Sequence, residues 1–587
     1  MKTAVSLLAA SMIAAPLLSQ TDEIAPNENL VAQNIPKIPA SLAEEVRRYT
    51  EFRSAGFQSW HPTRREVLIT TRFADTNQIH EVAMPGGDRR QLTFYPDRIL
   101  GATWEPSKGD YFVFVKDVGG GEFYQLYRYD TKGGAVTLLT DGKSRNLPGA
   151  WATHGGRLAY TSTRRTGKDT DVWVVDPSDP KSDRMVIALE GGGWAPLDWS
   201  PDDSKILLAE FLSANESYLW LLDAASGAKT LLTPRTPPGK EPVSYGGGKF
   251  AADGRSIYVT TDKGAEFKRL ARLSVAGGEP EYLTSAIAWD VEEFDLSRDG
   301  KLLAFATNED GASVLRVRDL VTGADRAAPG LPLGVLSGLE WHENGKEVGF
   351  TFSSARSPAD TYSWDPSASE AVRWTRSETG GLDPATFSEP ELIRWKSFDG
   401  RPISGFLYVP PKSFSGKRPV LIDIHGGPEG QTRPNFKGKS NYFMNELGIA
   451  VIFPNVRGSE GFGKTFLKLD NAEKREDSVK DIGALLDWIA TRPELDASRV
   501  MVTGGSYGGY MTLASAVHYS GRLRSALDIV GISNFVTFLE KTESYRRDLR
   551  RVEYGDERDP DMRRFFEEIS PARRIGSLRS PLLLIHG

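Results

Sequence analysis

A unit of about 47 residues recurs through the first two thirds of the chain, and a period of that length limits the fold to stacked copies of one supersecondary motif. Seven openings mark it: Trp60-His61-Pro62, Trp104-Glu105-Pro106, Trp151-Ala152-Thr153, Trp199-Ser200-Pro201, Phe250-Ala251-Ala252, Leu296-Ser297-Arg298 and Trp341-His342-Glu343. Four residues into several units stand Gly155, Gly254, Gly300 and Gly345, three of them after Asp253, Asp299 or Asn344. Asp-Gly and Asn-Gly supply the positive φ that tight hairpins require. Apolar runs such as Ile206–Ala209, 257–260, Leu302–Ala306 and 348–350 follow and read as strands. Many units close on a Leu-Thr step, at Leu92-Thr93, Leu139-Thr140, Leu232-Thr233 and Leu283-Thr284. Eleven of the 13 tryptophans precede residue 386, as expected if large rings fill the gaps between stacked sheets. Two tandem β-sandwiches would also use such strands, but seven matched units favour a seven-bladed β-propeller over 60–376.

Composition narrows the function. With 39% hydrophobic and 26% charged residues the chain is globular, and its 587 residues exceed what one core organises. A formal charge of −6 offers no footprint for a phosphate backbone, so nucleic acid is not an expected partner. The absence of cysteine excludes disulfides, thiolate metal sites and a cysteine nucleophile. Lys2 precedes an apolar run from Ala4 to Leu18, too short to span a bilayer, which reads as a signal peptide over 1–20 with Ser19 near its cleavage site. The expected location is therefore exported, periplasmic or secreted. Glycines at 119–121, 191–193 and 246–248 lack the lysine and serine of a phosphate-binding loop and read as connections between blades. Glu292-Glu293 reads as a solvated edge rather than an amine-binding pair, and the charged stretch 540–574 as solvated helix rather than a docking surface.

Beyond a polar linker at 377–390, the pattern changes to strands alternating with helices. Strands are predicted at 403–409, 420–424, 449–453, 500–503, 526–530 and 582–586, with helices at 479–490, opened by a capping box from Ser478 to Asp481, and at 511–519. That alternation implies a mainly parallel sheet covered on both faces. Gly504-Gly505-Ser506-Tyr507-Gly508 matches G-x-S-x-G between a predicted strand and a predicted helix, the setting of a nucleophile elbow. Ser506 is the candidate nucleophile; the alternative is a glycine-rich turn whose serine caps the helix. His425-Gly426-Gly427-Pro428 follows a strand where this fold places one side of the oxyanion hole. The amides of Gly427 and Tyr507 are the candidate oxyanion donors. His425 reads as a loop-shaping residue, since the general base follows the nucleophile in this fold. No metal-ligand spacing occurs, and neither metal nor cofactor is expected.

These motifs, with Pro454-Asn455-Val456-Arg457-Gly458-Ser459 and the extension Gly509-Tyr510, resemble the prolyl oligopeptidase family of serine peptidases, in its acylaminoacyl-peptidase and dipeptidyl-aminopeptidase-like branch. The resemblance implies a serine-type peptidase that hydrolyses short peptides through an acyl-enzyme, with the propeller admitting oligopeptides and excluding folded proteins. The oxyanion loop lacks the tyrosine that some members use as a donor, and Gly505 replaces the tryptophan before the serine of dipeptidyl peptidase IV. Both differences argue against strict post-proline dipeptide release. The resemblance places the catalytic Asp just after a strand end such as Leu584-Ile585-His586-Gly587, with the catalytic His further on. After Ser506 only His518 and His586 remain, so the expectation is a C-terminally truncated fragment with little turnover alone. The expected fold is an all-β seven-bladed β-propeller followed by an α/β-hydrolase domain, incomplete at its C-terminus. The expected division is a leader 1–20, an N-terminal linker and helix 21–59, the propeller 60–376, a linker 377–390 and the hydrolase 391–587. An esterase on the same domain and a non-catalytic propeller scaffold are the alternatives.

Overall fold

Seven four-stranded antiparallel sheets make up the first architecture. In the computed structural model, which describes residues 23–587, they span 56–91, 99–138, 146–187, 194–231, 245–282, 290–327 and 334–373 and form blades 1 to 7. The leader expected over 1–20 lies outside the described residues. Each blade begins one strand before its aromatic opening: Gly56–Trp60, Ile99–Trp104 and Trp194–Trp199 all end on the tryptophan. The repeat read from the sequence is thus out of frame by one strand, because the aromatic residue closes the innermost strand.

The repeated residues are ties between and within sheets. Indole N–H groups reach the preceding blade: Trp199 donates to Ala150 O at 2.9 Å, Trp341 to Asp295 O at 3.1 Å and Trp60 to Glu340 O at 3.0 Å. The threonine of the Leu-Thr step accepts an amide 14 residues earlier, at 2.9–3.2 Å, in Thr93, Thr140, Thr233 and Thr284. Thr375 repeats this bond to the Thr361 amide in blade 7. The turn glycines 155, 254, 300 and 345 have φ between 64° and 78°, as the hairpins demand. Glycines 246–248, by contrast, lie within the strand Tyr245–Phe250 and not in a connection, because Leu197 and Leu207 leave no room for a side chain at Gly248. Every blade is one continuous stretch of chain. The ring closes between blades 7 and 1 without sharing a strand, Thr351 Oγ1 accepting the Phe57 amide at 2.9 Å and Arg65 pairing with Glu347 at 2.6 Å.

The channel mouth encloses about 540 Å³ and gathers Asp198, Asp295 and Glu340 around Lys249. Lys249 Nζ lies 3.1 Å from Asp295 Oδ1, and its side chain keeps 41% of its surface open to the lumen. Withdrawal from bulk water pushes Glu340 up to about 7 and Asp198 up to about 6. A raised native pKa means that the folded chain holds a proton which the unfolded chain releases, so this contribution to stability grows as pH falls from 7 towards 4.5. Glu340→Gln keeps an acceptor for the Trp60 amide and removes the charge. Its thermal midpoint should exceed wild type at pH 8 and lose that advantage near pH 5, read by calorimetry across the range. An advantage that is flat or grows on acidification would refute the assignment.

The second architecture is a seven-stranded sheet of strands β1 (Glu391–Lys396), β2 (Pro402–Tyr408), β3 (Arg418–Ile424), β4 (Ala450–Asn455), β5 (Leu495–Gly505), β6 (Ser525–Ile529) and β7 (Leu582–Ile585). Their order is β1-β2-β4-β3-β5-β6-β7, with β2 antiparallel to both neighbours and the rest parallel. Its longer helices are α1 (Arg475–Thr491), α2 (Tyr507–His518), α3 (Phe535–Lys541), α4 (Ser544–Tyr554) and α5 (Pro560–Ile569). Ile422, Ile452 and Val502 pack with Ile482, Leu486 and Met511, while Leu421, Val451 and Phe453 pack with Met444. Two apolar faces are therefore buried, as a parallel sheet requires.

Helix α1 starts earlier than the capping-box reading proposed. Ser478 lies inside its first turn and donates to Arg475 O at 2.8 Å, while Asp481 is fully buried and pairs with Arg457 at 2.8 Å. A guanidinium outcompetes a helix-end amide for that carboxylate. The hydrolase sits on the propeller along two fronts. Over blades 5 and 6, Arg433 pairs with Glu292 at 2.7 Å, Gln431 Oε1 accepts from Asn308 at 2.6 Å and the Lys464 amide donates to Glu266 O at 3.0 Å. Over blades 2 to 4, helix α4 makes the contact. Within the charged stretch 540–574, residues 545–549 therefore meet the propeller rather than solvent alone. Among the described residues no helix is long and apolar enough to cross a membrane.

Candidate active site

Strand β5 delivers the chain to Ser506 at φ 58° and ψ −118°, and α2 begins at the next residue. A non-glycine residue in that region costs on the order of 1–3 kcal/mol and persists only where its surroundings impose it. They do so here by close packing. A Cβ on Gly508 would collide with Ile424 O, so the motif's last glycine lets α2 lie directly against the end of β3. Ser506 itself is exposed, while Tyr507 and Gly508 behind it are buried.

The loop after β3 crosses the elbow. A Cβ on Gly426 would stand 3.4 Å from Ser506 Cβ and 3.0 Å from Gly505 O. Gly427 takes φ 134°, and the Gly427–Pro428 peptide is cis. His425 sets the orientation of the loop. Its Nδ1 lies 2.9 Å from Gly426 O and its Nε2 2.8 Å from Ser459 Oγ. Burial lowers its pKa and favours the neutral ring, and Gly426 O, which can only accept, draws the ring proton to Nδ1, while the Ser459 hydroxyl donates to Val456 O at 2.7 Å. In a trans peptide N–H and C=O point oppositely, so holding Gly426 O fixes the direction of the Gly427 N–H. Among the described residues neither the Gly427 nor the Tyr507 amide has a protein acceptor.

Behind the elbow lies a buried ionic cluster. Tyr507 OH is 2.9 Å from both Asp470 Oδ2 and Ser478 Oγ. Arg475 pairs with Asp470 at 2.6 Å and with Glu553 at 2.8 Å, and its guanidinium lies 5.3 Å from the Tyr507 ring and 4.8 Å from that of Tyr554. Burial pushes the Asp470 and Glu553 carboxyls up, and Arg475 between them opposes the shift while staying charged. No local pattern in the sequence marks these three charges. Asp470 and Glu553 are 83 positions apart, and only the fold joins them through Arg475.

Of the two histidines after Ser506, His586 lines a cavity together with Asp528 and Gly531, and His518 is committed elsewhere. His518 ends α2, with Nε2 2.9 Å from Glu476 Oε1. The pair Glu292-Glu293 is divided: Glu292 holds Arg433 across the interface, and Glu293 accepts the Gly338 and Leu339 amides of blade 7 at 2.8 and 3.2 Å. The solvated-edge expectation is thus corrected, because the strand Asp290–Leu296 is the innermost of its blade. A cavity of about 410 Å³ between blades 5 and 6 and the hydrolase is lined by Asp262, Lys268, Asp290, Glu293, Glu460 and Lys464. The Glu460 amide bonds Glu429 O at 3.1 Å, bringing this charged wall to the end of the 425–430 loop.

Comparison with known proteins fits both halves. Residues 99–377 match the model of the prolyl oligopeptidase N-terminal β-propeller domain, and residues 434–587 match that of the prolyl oligopeptidase family. The chain belongs to the prolyl oligopeptidase family. It is a serine peptidase of that family, built as a seven-bladed propeller followed by an α/β-hydrolase domain. It is 25% identical over 510 residues to dipeptidyl aminopeptidase BIII of Pseudoxanthomonas mexicana, covering 81% of this chain and 70% of that protein. It is 24% identical to the uncharacterized peptidase YuxL of Bacillus subtilis (strain 168), covering 90% and 80%. Among solved structures, puromycin hydrolase superposes with a TM-score of 0.79 at 19% identity, over 92% of this chain and 86% of that one. At that identity the likeness speaks for the fold. In this prolyl oligopeptidase family member the 425–428 loop lies before the residues matched by the peptidase model, so its bearing on the site rests on the geometry above.

Proposed function

We propose that this peptidase hydrolyses short peptides through an acyl-enzyme on Ser506, with the amides of Gly427 and Tyr507 receiving the oxyanion. The observation that carries the reading is the exposed Ser506 on a strained elbow, lying against a glycine loop whose peptide His425 orients. Ser506 Oγ attacks the scissile carbonyl, giving up its proton to a base, and the carbonyl oxygen becomes an anion beside two amides. Collapse expels the amine, which takes up that proton, and leaves the acyl-ester that water then hydrolyses. His425 is not that base, because both ring nitrogens are engaged with Gly426 and Ser459.

Peptides are the favoured substrate class because relatives carry the names dipeptidyl aminopeptidase and acylamino-acid-releasing enzyme. A propeller standing over the hydrolase supports selection for chains short enough to enter. The apolar run after Lys2 supports export to the periplasm or beyond. The test is covalent labelling of the full-length protein with a fluorophosphonate, located by peptide mass spectrometry. Label is expected on Ser506, with labelling slowed by an added short peptide. Label on another residue, or none while peptide is turned over, would sink the assignment.

A further inference from the structure

Helix α4 touches both domains at once. In its first turn Tyr545 OH donates to Glu122 Oε2 at 3.1 Å, Arg145 lies 4.6 Å over the Tyr545 ring, and Asp548 pairs with Lys168 at 3.3 Å. The loop before blade 4 presses on the same turn so tightly that a Cβ on Gly192 would collide with Tyr545 O. In its last turns the helix faces the site instead. Tyr554 OH lies 3.3 Å and Arg550 Nη1 3.4 Å from Gly427 O, and Glu553 holds Arg475 behind Tyr507. An 11-residue helix is a rod of about 16 Å, so its two ends move together.

We infer that α4 carries propeller docking to the oxyanion side of the site, with Tyr554 and Arg550 as positioning residues for Gly427. The inference rests on reading Gly427 as an oxyanion donor. Two adjacent glycines have little stiffness of their own, and φ 134° at Gly427 is open to glycine and few other residues. Something outside the loop must therefore hold it. His425 holds the peptide before Gly427, and α4 holds the carbonyl after it. When α4 seats against Gly192 and Glu122 of the propeller, the rod is pressed into the position at which Tyr554 meets Gly427 O. When the domains part, that constraint is lifted and the donor relaxes. Gln431, farther along the loop, also bonds Asn308 of blade 6, which gives a second and separate route.

A double-mutant cycle on the full-length protein tells the routes apart. Gly192→Ala inserts a methyl between propeller and helix at a position whose backbone needs no glycine, and Tyr554→Phe deletes the hydroxyl on Gly427 O. Each change should lower kcat by about ten-fold with KM within about two-fold, since the loss falls on transition-state alignment. The double variant should fall little below the weaker single variant, short of the roughly hundred-fold drop that independence predicts. A multiplicative loss, or an unchanged kcat in Gly192→Ala, overturns the relay. Should Gly192→Ala fold poorly by its thermal midpoint, Tyr545→Phe, which removes only the bond to Glu122, replaces it in the same cycle. Hydrogen exchange over residues 425–433 supplies a reading independent of turnover. It should quicken several-fold in both single variants, and unchanged exchange would reject the relay even if Ser506 proved not to be the nucleophile.

Discussion

Ser506→Ala in the full-length protein should lower peptide turnover by roughly 10⁴- to 10⁶-fold while leaving substrate affinity nearly intact, because the loss falls on the chemical step alone. The fold should hardly notice. Ser506 is exposed, its side chain makes no hydrogen bond among the described residues, and alanine at φ 58° carries much the same backbone strain. Single-turnover kinetics on a chromogenic peptide, with binding followed separately, give both quantities. A residual rate within about ten-fold of wild type would mean that another group does the attacking, and the elbow would be a structural bend.

The second large effect is on stability. Removing Arg475, as Arg475→Ala, leaves the Asp470 and Glu553 carboxyls buried without their cation and strips the guanidinium from between two tyrosine rings. Uncoupling a buried pair in this way costs about 3–5 kcal/mol. The deficit should be greatest at pH 8 and smaller at pH 6. Burial already raises both carboxyls, and without the arginine they rise further, so in the variant the folded state gains protons as pH falls and recovers stability. Urea midpoints at the two pH values measure this. A loss below about 1 kcal/mol, or one that deepens on acidification, would show that Arg475 does not neutralise the pair.

How legible such a molecule is depends on the range of the interactions that define each part. The blades announce themselves because their ties repeat at fixed spacing: an indole to the preceding blade, a threonine to an amide 14 residues back. The elbow is equally local, since the strand, Ser506 and the helix are contiguous. The frame of the repeat is not legible in the sequence because a tryptophan that ends one strand and a turn that begins the next look alike in one dimension. Asp481 reads as a capping partner in the sequence because its real partner, Arg457, lies 24 positions away in the turn after β4. The Asp470–Arg475–Glu553 cluster and the grip of Tyr554 on Gly427 had no signature at all, as they exist only once β3, α1 and α4 have met. Charged positions in 540–574 looked like solvent-facing helix for the same reason: nothing local distinguishes a lysine-binding aspartate such as Asp548 from one bound by water.

That no strand is exchanged between blades 1 and 7 bears on how such a ring comes into being. Each blade holds all four of its strands in order, so every one can be completed as it leaves the ribosome, without waiting for the chain to return to its start. Only the seam between the last and first blades must await the end of propeller synthesis. Residues just ahead of blade 1 then bridge it, with the Ala55 amide on Ala359 O at 2.7 Å and the Arg53 amide on Glu378 O at 2.9 Å. A nascent chain stalled short of blade 7 would accordingly carry finished blades in an unclosed arc, its first and sixth blades each baring a flank.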